Sequence, residues 1–372
     1  MAERKKSGDN VGHGHDHGTI TRKKSGEDVK FPEGITRKKS GEDVHAPEGL
    51  SRKKSGEIAA HPPSALHGNL KIGWIGTGVM GKSMVKHLLD KGYKPMIYTR
   101  TASKANDLIQ AGAVFTDPIE MAKQADILFL MLGYPKDVEE VMISGPNALI
   151  SHLKKGATVV DHTTSSPSLA LRIYEACHSR GVYSFDCPVS GGDIGARNGQ
   201  LVVMCGGDEK HFQQASDVMK CYSKNIQLFG KAGCGQHTKT MNQLAIAGTM
   251  IGLCESLVYG HSVGLDVKKV IELISGGAAQ SSAMNNLCPR IEKGDFRPGF
   301  YVDHFIKDLE IALEECSRMK IRLPGLELVH SLYKKLSDEM KLGRAGTQAL
   351  IKVLENMNGK NYTPKVDLSE EF

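Results

Sequence analysis

From residue 70 onward, short apolar runs alternate with amphipathic helical stretches, and this alternation leaves few folds open. The runs fall at residues 70–75, 95–98, 127–132, 158–160, 183–185, 201–204 and 226–229. Helical patterns begin near Val79, Ser103, Pro118, Asp137, Pro167 and Asp208. Parallel strands need a crossover between them, usually a helix, so β and α segments at this pitch predict an α/β, doubly wound, mostly parallel sheet. After Gly233 the strand signals stop. Helical periodicity then runs to about Asn358, broken at Gly264, Gly276-Gly277, Arg297-Pro298-Gly299, Pro324-Gly325 and Gly343. That pattern predicts an all-helical second domain led by one long helix. The expected divisions are a nucleotide-type domain at 67–232, a helical domain at 233–360 and a C-terminal tail at 361–372.

Residues 1–66 have a different texture. Ile20 begins ITRKKSGEDVKFPEG, Ile35 begins ITRKKSGEDVHAPEG, Leu50 begins the degraded copy LSRKKSGEIAAHPPS, and Glu3 opens a partial unit. A repeat with so few apolar residues cannot bury enough surface to offset chain entropy, so the segment is expected to be disordered. Ser7, Ser25, Ser40 and Ser55 each follow Arg-Lys-Lys, a context that suits a basophilic kinase as partner. The alternative is a solvated linker whose copies arose by duplication. His13, His15 and His17 lie in a Gly-rich stretch that makes a poor metal site.

Composition narrows the partners. Residues 1–70 hold 13 Lys+Arg and 10 Asp+Glu, a net +3 of the overall +6, so neither part is basic enough to announce nucleic acid. The ten acids also argue against an import signal. The eight cysteines form no C-x-x-C pair, which points to reduced thiols and a cytoplasmic setting rather than a disulfide framework or zinc site. The longest apolar stretch, 244–258, is interrupted by Glu255 and is expected to be a buried helix rather than a membrane span.

Two constellations carry chemistry. Gly76, Gly78 and Gly81 form G-x-G-x-x-G directly after the first apolar run and open the first helical pattern, with Val79 and Met80 inside the turn. In that context the glycines supply a tight turn, backbone access for a pyrophosphate and close helix packing, as in a Rossmann-type dinucleotide site. The second strand ends in Tyr98-Thr99-Arg100-Thr101, with Lys104 beyond and no carboxylate. A cation beside two hydroxyls suits a 2′-phosphate, so NADP(H) is expected over NAD(H). Leu132, at the end of the 127–132 run, is a further expected coenzyme contact. The second constellation is Lys239, Asn242 and Gln243, which share a helical face because residues at i, i+3 and i+4 are neighbours. One ammonium and two carboxamides fit a small polar substrate that gains or loses a proton.

Together these residues resemble the β-hydroxyacid dehydrogenase family, which includes 3-hydroxyisobutyrate dehydrogenases and glyoxylate/succinic semialdehyde reductases. The likeness covers residues 70–358 and excludes the repeats. It is carried by the fingerprint, by Asp186-Cys187-Pro188-Val189-Ser190-Gly191-Gly192 with Gly195-Ala196 and Gly199, by the Lys239 segment and by His304-Phe305-Ile306-Lys307-Asp308-Leu309. The loop Asp161-His162-Thr163-Thr164-Ser165-Ser166-Pro167 also resembles a coenzyme-contacting stretch. The resemblance implies Lys239 as general acid/base, Ser190, Gly191, Gly192, Asn242 and Gln243 at a small carboxylate substrate, and Thr164 and Lys307 at the coenzyme. It implies a homodimer or homotetramer; charge, cysteine spacing and hydropathy point to no nucleic acid, metal or membrane. His304 is expected to be structural.

Cys187 stands where the family most often has alanine, Thr77 where leucine is common, Gly133 where proline is frequent, and Gln243 where many members have a second asparagine. The last blurs the substrate. Alternatives are an NAD-dependent 3-hydroxyisobutyrate dehydrogenase and a dehydrogenase-like scaffold without activity. A 6-phosphogluconate dehydrogenase is less consistent, since Lys239-x-x-Asn242-Gln243 departs from that family's Lys-x-x-His-Asn.

Overall fold

The computed structural model describes residues 70–366, so the repeats lie outside the described residues. The first strands and helices follow the apolar pattern closely: β1 (Ile72–Ile75), α1 (Val79–Asp90), β2 (Met96–Tyr98), α2 (Asn106–Gln110), β3 (Val114–Phe115), α3 (Pro118–Gln124), β4 (Ile127–Leu130) and α4 (Pro135–Glu139). They continue through β5 (Thr158–Asp161), α5 (Pro167–His178) and β6 (Tyr183–Asp186). The sheet order is β3-β2-β1-β4-β5-β6, and every pairing is parallel. The four residues of each of β1, β4 and β5 are buried, as strands covered by helices on both faces must be. Strand order reverses between β1 and β4, and in such sheets ligands bind outside the carboxyl ends of the strands at that point. The register lines up Tyr98, Ile75, Leu130, Asp161 and Asp186 along that edge.

Two apolar runs do not join this sheet. β7 (Val189–Ser190), α6 (Gly192–Arg197), β8 (Leu201–Cys205), α7 (Phe212–Met219) and β9 (Ser223–Leu228) follow, and β7-β8-β9 make a separate three-stranded sheet. β7 runs antiparallel to β8, and β9 runs parallel to it. The cause is local. Pro188 has no N–H to extend the β6 ladder, so the chain turns away, and the Pro188 carbonyl accepts instead from Met204 N at 3.0 Å. A bridge between Asp186 and Gly206 stitches the two sheets.

The rest is helical: α8 (Cys234–Ser262), α9 (Val267–Ile274), α10 (Ser282–Asn286), α11 (Cys288–Glu292), α12 (Val302–Met319), α13 (Pro324–Asp338) and α14 (Ile351–Met357). Pro324 starts α13 rather than breaking it, because a first-turn proline gives up no needed N–H. α8 is 29 residues long, and its buried residues Ala247, Met250, Leu253, Cys254 and Leu257 form the centre of this domain's core. By length and composition α8 also qualifies as a membrane span, with mean hydropathy 1.2 over its best window, because the apolar residues around Glu255 outweigh it. A third of that window (33%) is buried within this chain. Residues 361–366 are fastened rather than loose: Tyr362 N and Thr363 N both donate to buried Glu355. All eight cysteines are free.

Candidate active site

The glycine turn is built to leave backbone open. Gly76 has φ +97°, and a Cβ there would strike the Met131 carbonyl; its N–H donates to Tyr98 O at 2.9 Å. A Cβ on Gly81 would strike the Gly76 carbonyl, so helix and turn touch. Gly78 differs, because a Cβ there meets nothing within 4 Å of the protein. Its lack of a side chain serves space outside the fold. α1 has no side-chain cap and no acid in its first turn, which leaves its terminal N–H groups for an anion. Val79 is 58% exposed beside it, and Met80 is half-buried. The Thr77 hydroxyl, buried in the same turn, has no partner among the described residues. A pyrophosphate fits this cradle. The sole tryptophan, Trp74, holds the turn from below by donating Nε1–H to Gly76 O at 3.0 Å. At the end of β2, Thr99 is half-buried while Arg100, Thr101 and Lys104 are exposed. Leu132 N donates to Thr163 Oγ1 at 2.9 Å, tying the end of β4 to the loop after β5.

Four separate segments meet in one chain of hydrogen bonds and an ion pair. Lys307 Nζ donates to Thr164 O at 2.6 Å and is ion-paired with Asp308 at 2.8 Å. The other Asp308 oxygen accepts from Gln243 Nε2 at 2.6 Å. Gln243 Oε1 accepts from Asn242 Nδ2 at 2.7 Å, and Asn242 Oδ1 accepts from Ser190 Oγ at 3.2 Å. Thr164, Lys307, Gln243, Asn242 and Ser190 are thus brought together. Gly191 and Gly192 follow at φ +123° and +61°, backbone that side chains rarely adopt.

Lys239 stands one turn before this chain on α8 and is only 6% exposed. Burial drives its ammonium down from the ordinary lysine value to about 8; Asp308 opposes the shift and Lys307 adds to it. His304 is half-buried among Tyr134, Phe300 and Tyr301, and burial lowers its pKa too. That setting suits the structural role expected for it.

Three further residues belong to the site, although no sequence motif gave them a role. Asp308 lies beside Lys307 and joins it to Gln243. Asp186 closes β6 and accepts from the start of α8. Gln236, in the first turn of α8, donates to Thr163 O at 2.7 Å and accepts from Ser165 N at 2.9 Å. The available signal was a polar residue at a position that the surrounding apolar pattern would bury.

Comparison with known proteins places the chain in a family. A family model described as the NAD binding domain of 6-phosphogluconate dehydrogenase matches residues 71–230. A second, described as the NAD-binding domain of NADP-dependent 3-hydroxyisobutyrate dehydrogenase, matches residues 233–354. The Arabidopsis thaliana protein named probable 3-hydroxyisobutyrate dehydrogenase-like 1, mitochondrial, is 48% identical over 78% of this chain and 86% of its own. The chain belongs to the β-hydroxyacid dehydrogenase family. The Escherichia coli 2-hydroxy-3-oxopropionate reductase is 33% identical over 77% of this chain and 98% of that enzyme. Among solved structures, a Mycobacterium tuberculosis 3-hydroxyisobutyrate dehydrogenase with L-serine matches at TM-score 0.70 and 25% identity, covering 77% of this chain and 99% of the other. The protein is therefore an NAD(P)-dependent β-hydroxyacid dehydrogenase with a pyridine nucleotide as coenzyme.

Proposed function

We propose that this β-hydroxyacid dehydrogenase interconverts a short hydroxy acid and its aldehyde or keto acid with NADP(H), using Lys239 as general acid and base. The observation that carries the reading is the buried Lys239 amine, poised at about 8 beside an array of substrate-sized hydrogen-bonding groups. The coenzyme supplies or accepts the hydride. In reduction the Lys239 ammonium donates its proton to the carbonyl oxygen; in oxidation the neutral amine takes the hydroxyl proton. A pKa near the working pH serves both directions.

The other residues hold the substrate. Gln243 spends its amide on Asp308 and Asn242, so it braces Asn242 rather than reaching out. Asn242 keeps a second amide N–H for a substrate oxygen. The Ser190 hydroxyl and the Gly191 and Gly192 N–H groups suit the carboxylate. Val79, Met80, Leu132, Thr164 and Lys307 line the coenzyme side together with the glycine turn. The NADP(H) preference rests on Arg100, flanked by Thr99 and Thr101, at the end of β2 where no carboxylate stands.

Initial rates with glyoxylate, succinic semialdehyde, 2-hydroxy-3-oxopropionate and 3-hydroxyisobutyrate, each with both coenzymes, test the reading. Lys239→Ala should lose roughly 10²–10⁴-fold in turnover, the usual contribution of a general acid, with coenzyme affinity nearly unchanged. Full turnover in that variant refutes the assignment. Coenzyme binding without turnover of any panel member would favour a scaffold.

A further inference from the structure

The Lys239 amine stands where the start of α8 puts it, and one buried carboxylate holds that start. The side chain of Asp186 is 4% exposed and faces the beginning of α8. Its Oδ1 accepts from Gly233 N at 2.8 Å, and its Oδ2 accepts from Gln236 N at 2.8 Å. Both oxygens of one carboxylate therefore take N–H groups from the orphaned first turn, 47 and 50 residues away in sequence. The N-cap residue of α8 is Gly233, which has no side chain to do this work. Burial pushes the Asp186 pKa up to about 7, the Gly233 and Gln236 N–H groups draw it down, and the ionised carboxylate complements the positive end of a 29-residue helix.

The backbone of Asp186 is itself fixed. It exchanges hydrogen bonds with Gly206 at 3.1 and 2.9 Å, and its peptide lies so close to Gly235 that a Cβ there would collide with the Asp186 carbonyl. The helix start is thus pressed against the end of β6. Gln236, whose N–H Asp186 holds, grips the loop at Thr163 and Ser165, and the carbonyl of Thr164 in that loop holds Lys307. Lys239 follows Gln236 by three residues, a rise of about 4.5 Å along the helix. Any displacement of the first turn is therefore passed to the amine.

We propose that Asp186 is a positioning residue of the reaction: it fixes where the Lys239 amine stands, by holding the start of α8 to the end of β6, without touching substrate or coenzyme. The inference rests on the reading of Lys239 as acid and base. Asp186→Asn keeps the size but turns one acceptor into a donor that faces an N–H, so one of the two holds is lost. Misplacement by about 1 Å costs around 10²-fold, so kcat should fall roughly 30- to 100-fold. Quenching of the single Trp74 by NADPH should give a coenzyme Kd within about twofold of wild type.

The deciding measurement is a double-mutant cycle. In a Lys239→Ala background, Asp186→Asn should change the residual rate by less than about threefold, because residues acting through one another are non-additive. An equal loss in both backgrounds, a matching loss of coenzyme affinity, or full turnover in Asp186→Asn alone overturns the proposal. If Lys239→Ala is fully active, the acid–base reading falls first and takes this one with it. If Lys239→Ala is dead while Asp186→Asn is normal, only the positioning role falls. Should Asp186→Asn not fold, Asp186→Ser, smaller and still an acceptor, replaces it. If neither folds, Asp186 is structural and the proposal is wrong.

Discussion

The depressed pKa of Lys239 has a direct kinetic consequence in the pH range where ordinary lysines are silent. With its value at about 8, the ammonium fraction is about 0.9 at pH 7 and about 0.1 at pH 9. Reduction, which needs the ammonium, should therefore lose close to tenfold in kcat/KM across that interval. Oxidation, which needs the amine, should gain about as much. A lysine at its unperturbed value would still be about 0.97 protonated at pH 9, so reduction would stay level, while oxidation would climb about a hundredfold with the scarce amine instead of tenfold. The assay is initial rates of kcat/KM from pH 6 to 10 in both directions, since that ratio reports groups of the free enzyme. Lys239→Ala should remove the break from what activity remains. A profile flat between pH 7 and 9, or a break that survives Lys239→Ala, refutes the reasoning. Stability supplies an independent check. The folded pKa lies below the unfolded one, so the unfolded chain binds the extra proton between about 8 and 10.5, and stability rises with pH in that window. Below it, the buried ammonium costs about 3 kcal/mol, and Lys239→Met should recover part of this as a higher Tm at neutral pH.

Three other expectations follow from named contacts. Asp308→Asn removes the charge that opposes burial at Lys239, so the break in the reductive pH profile should move to lower pH; a move to higher pH would show the sign to be wrong. Arg100→Ala should raise the KM for NADPH about tenfold while leaving that for NADH within about twofold, in keeping with a charge-assisted contact of roughly 1.5 kcal/mol; equal effects on both coenzymes would remove the 2′-phosphate role. The outward face of α8 carries Met241 and Tyr259 at 71% and 69% exposure, and Gly248 and Gly252 with open space where a Cβ would stand. A homo-oligomer through this face should show by light scattering and be weakened by Gly252→Glu, whereas a wild-type monomer at assay concentration would count against it.

The fold class was legible because its signal is periodic and local. Strand spacing in the first half and helical spacing in the second each repeat within a window of ten or so residues. What escaped was short or glycine-rich: β3 and β7 have two residues each, and α6 grows out of Ser190-Gly191-Gly192, which reads as a turn. The antiparallel return of β7 along β8 depends on where Pro188 stops the β6 ladder, and no hydrophobic pattern records that. The site divides in the same way. Lys239, Asn242 and Gln243 share a face by helical arithmetic alone. The bonds that give that face its chemistry span 65 residues to Asp308, 52 to Ser190, 71 to Ser165 and 47 to Asp186, and they exist because the topology closes.

A polar residue in a buried setting still leaves a trace in the sequence. Lys239, Gln236 and Gln243 interrupt the inward side of a helix that is otherwise apolar enough to pass for a membrane span, and each costs folding free energy unless a partner meets it. Gln236 meets its partners across the domain boundary, at Ser165 and Thr163, and Gln243 meets Asp308 within the helical domain, so amides that would otherwise weaken α8 tie it to its neighbours. Lys239 is the exception. It is held near a carboxylate but kept from full neutralisation by burial and by Lys307, and this incomplete compensation leaves its proton exchangeable near neutral pH. A lysine fully paired with Asp308 would make a more stable helix and a poorer acid. The geometry that ties Asp308 to Lys307 and Gln243 instead is what separates those two outcomes.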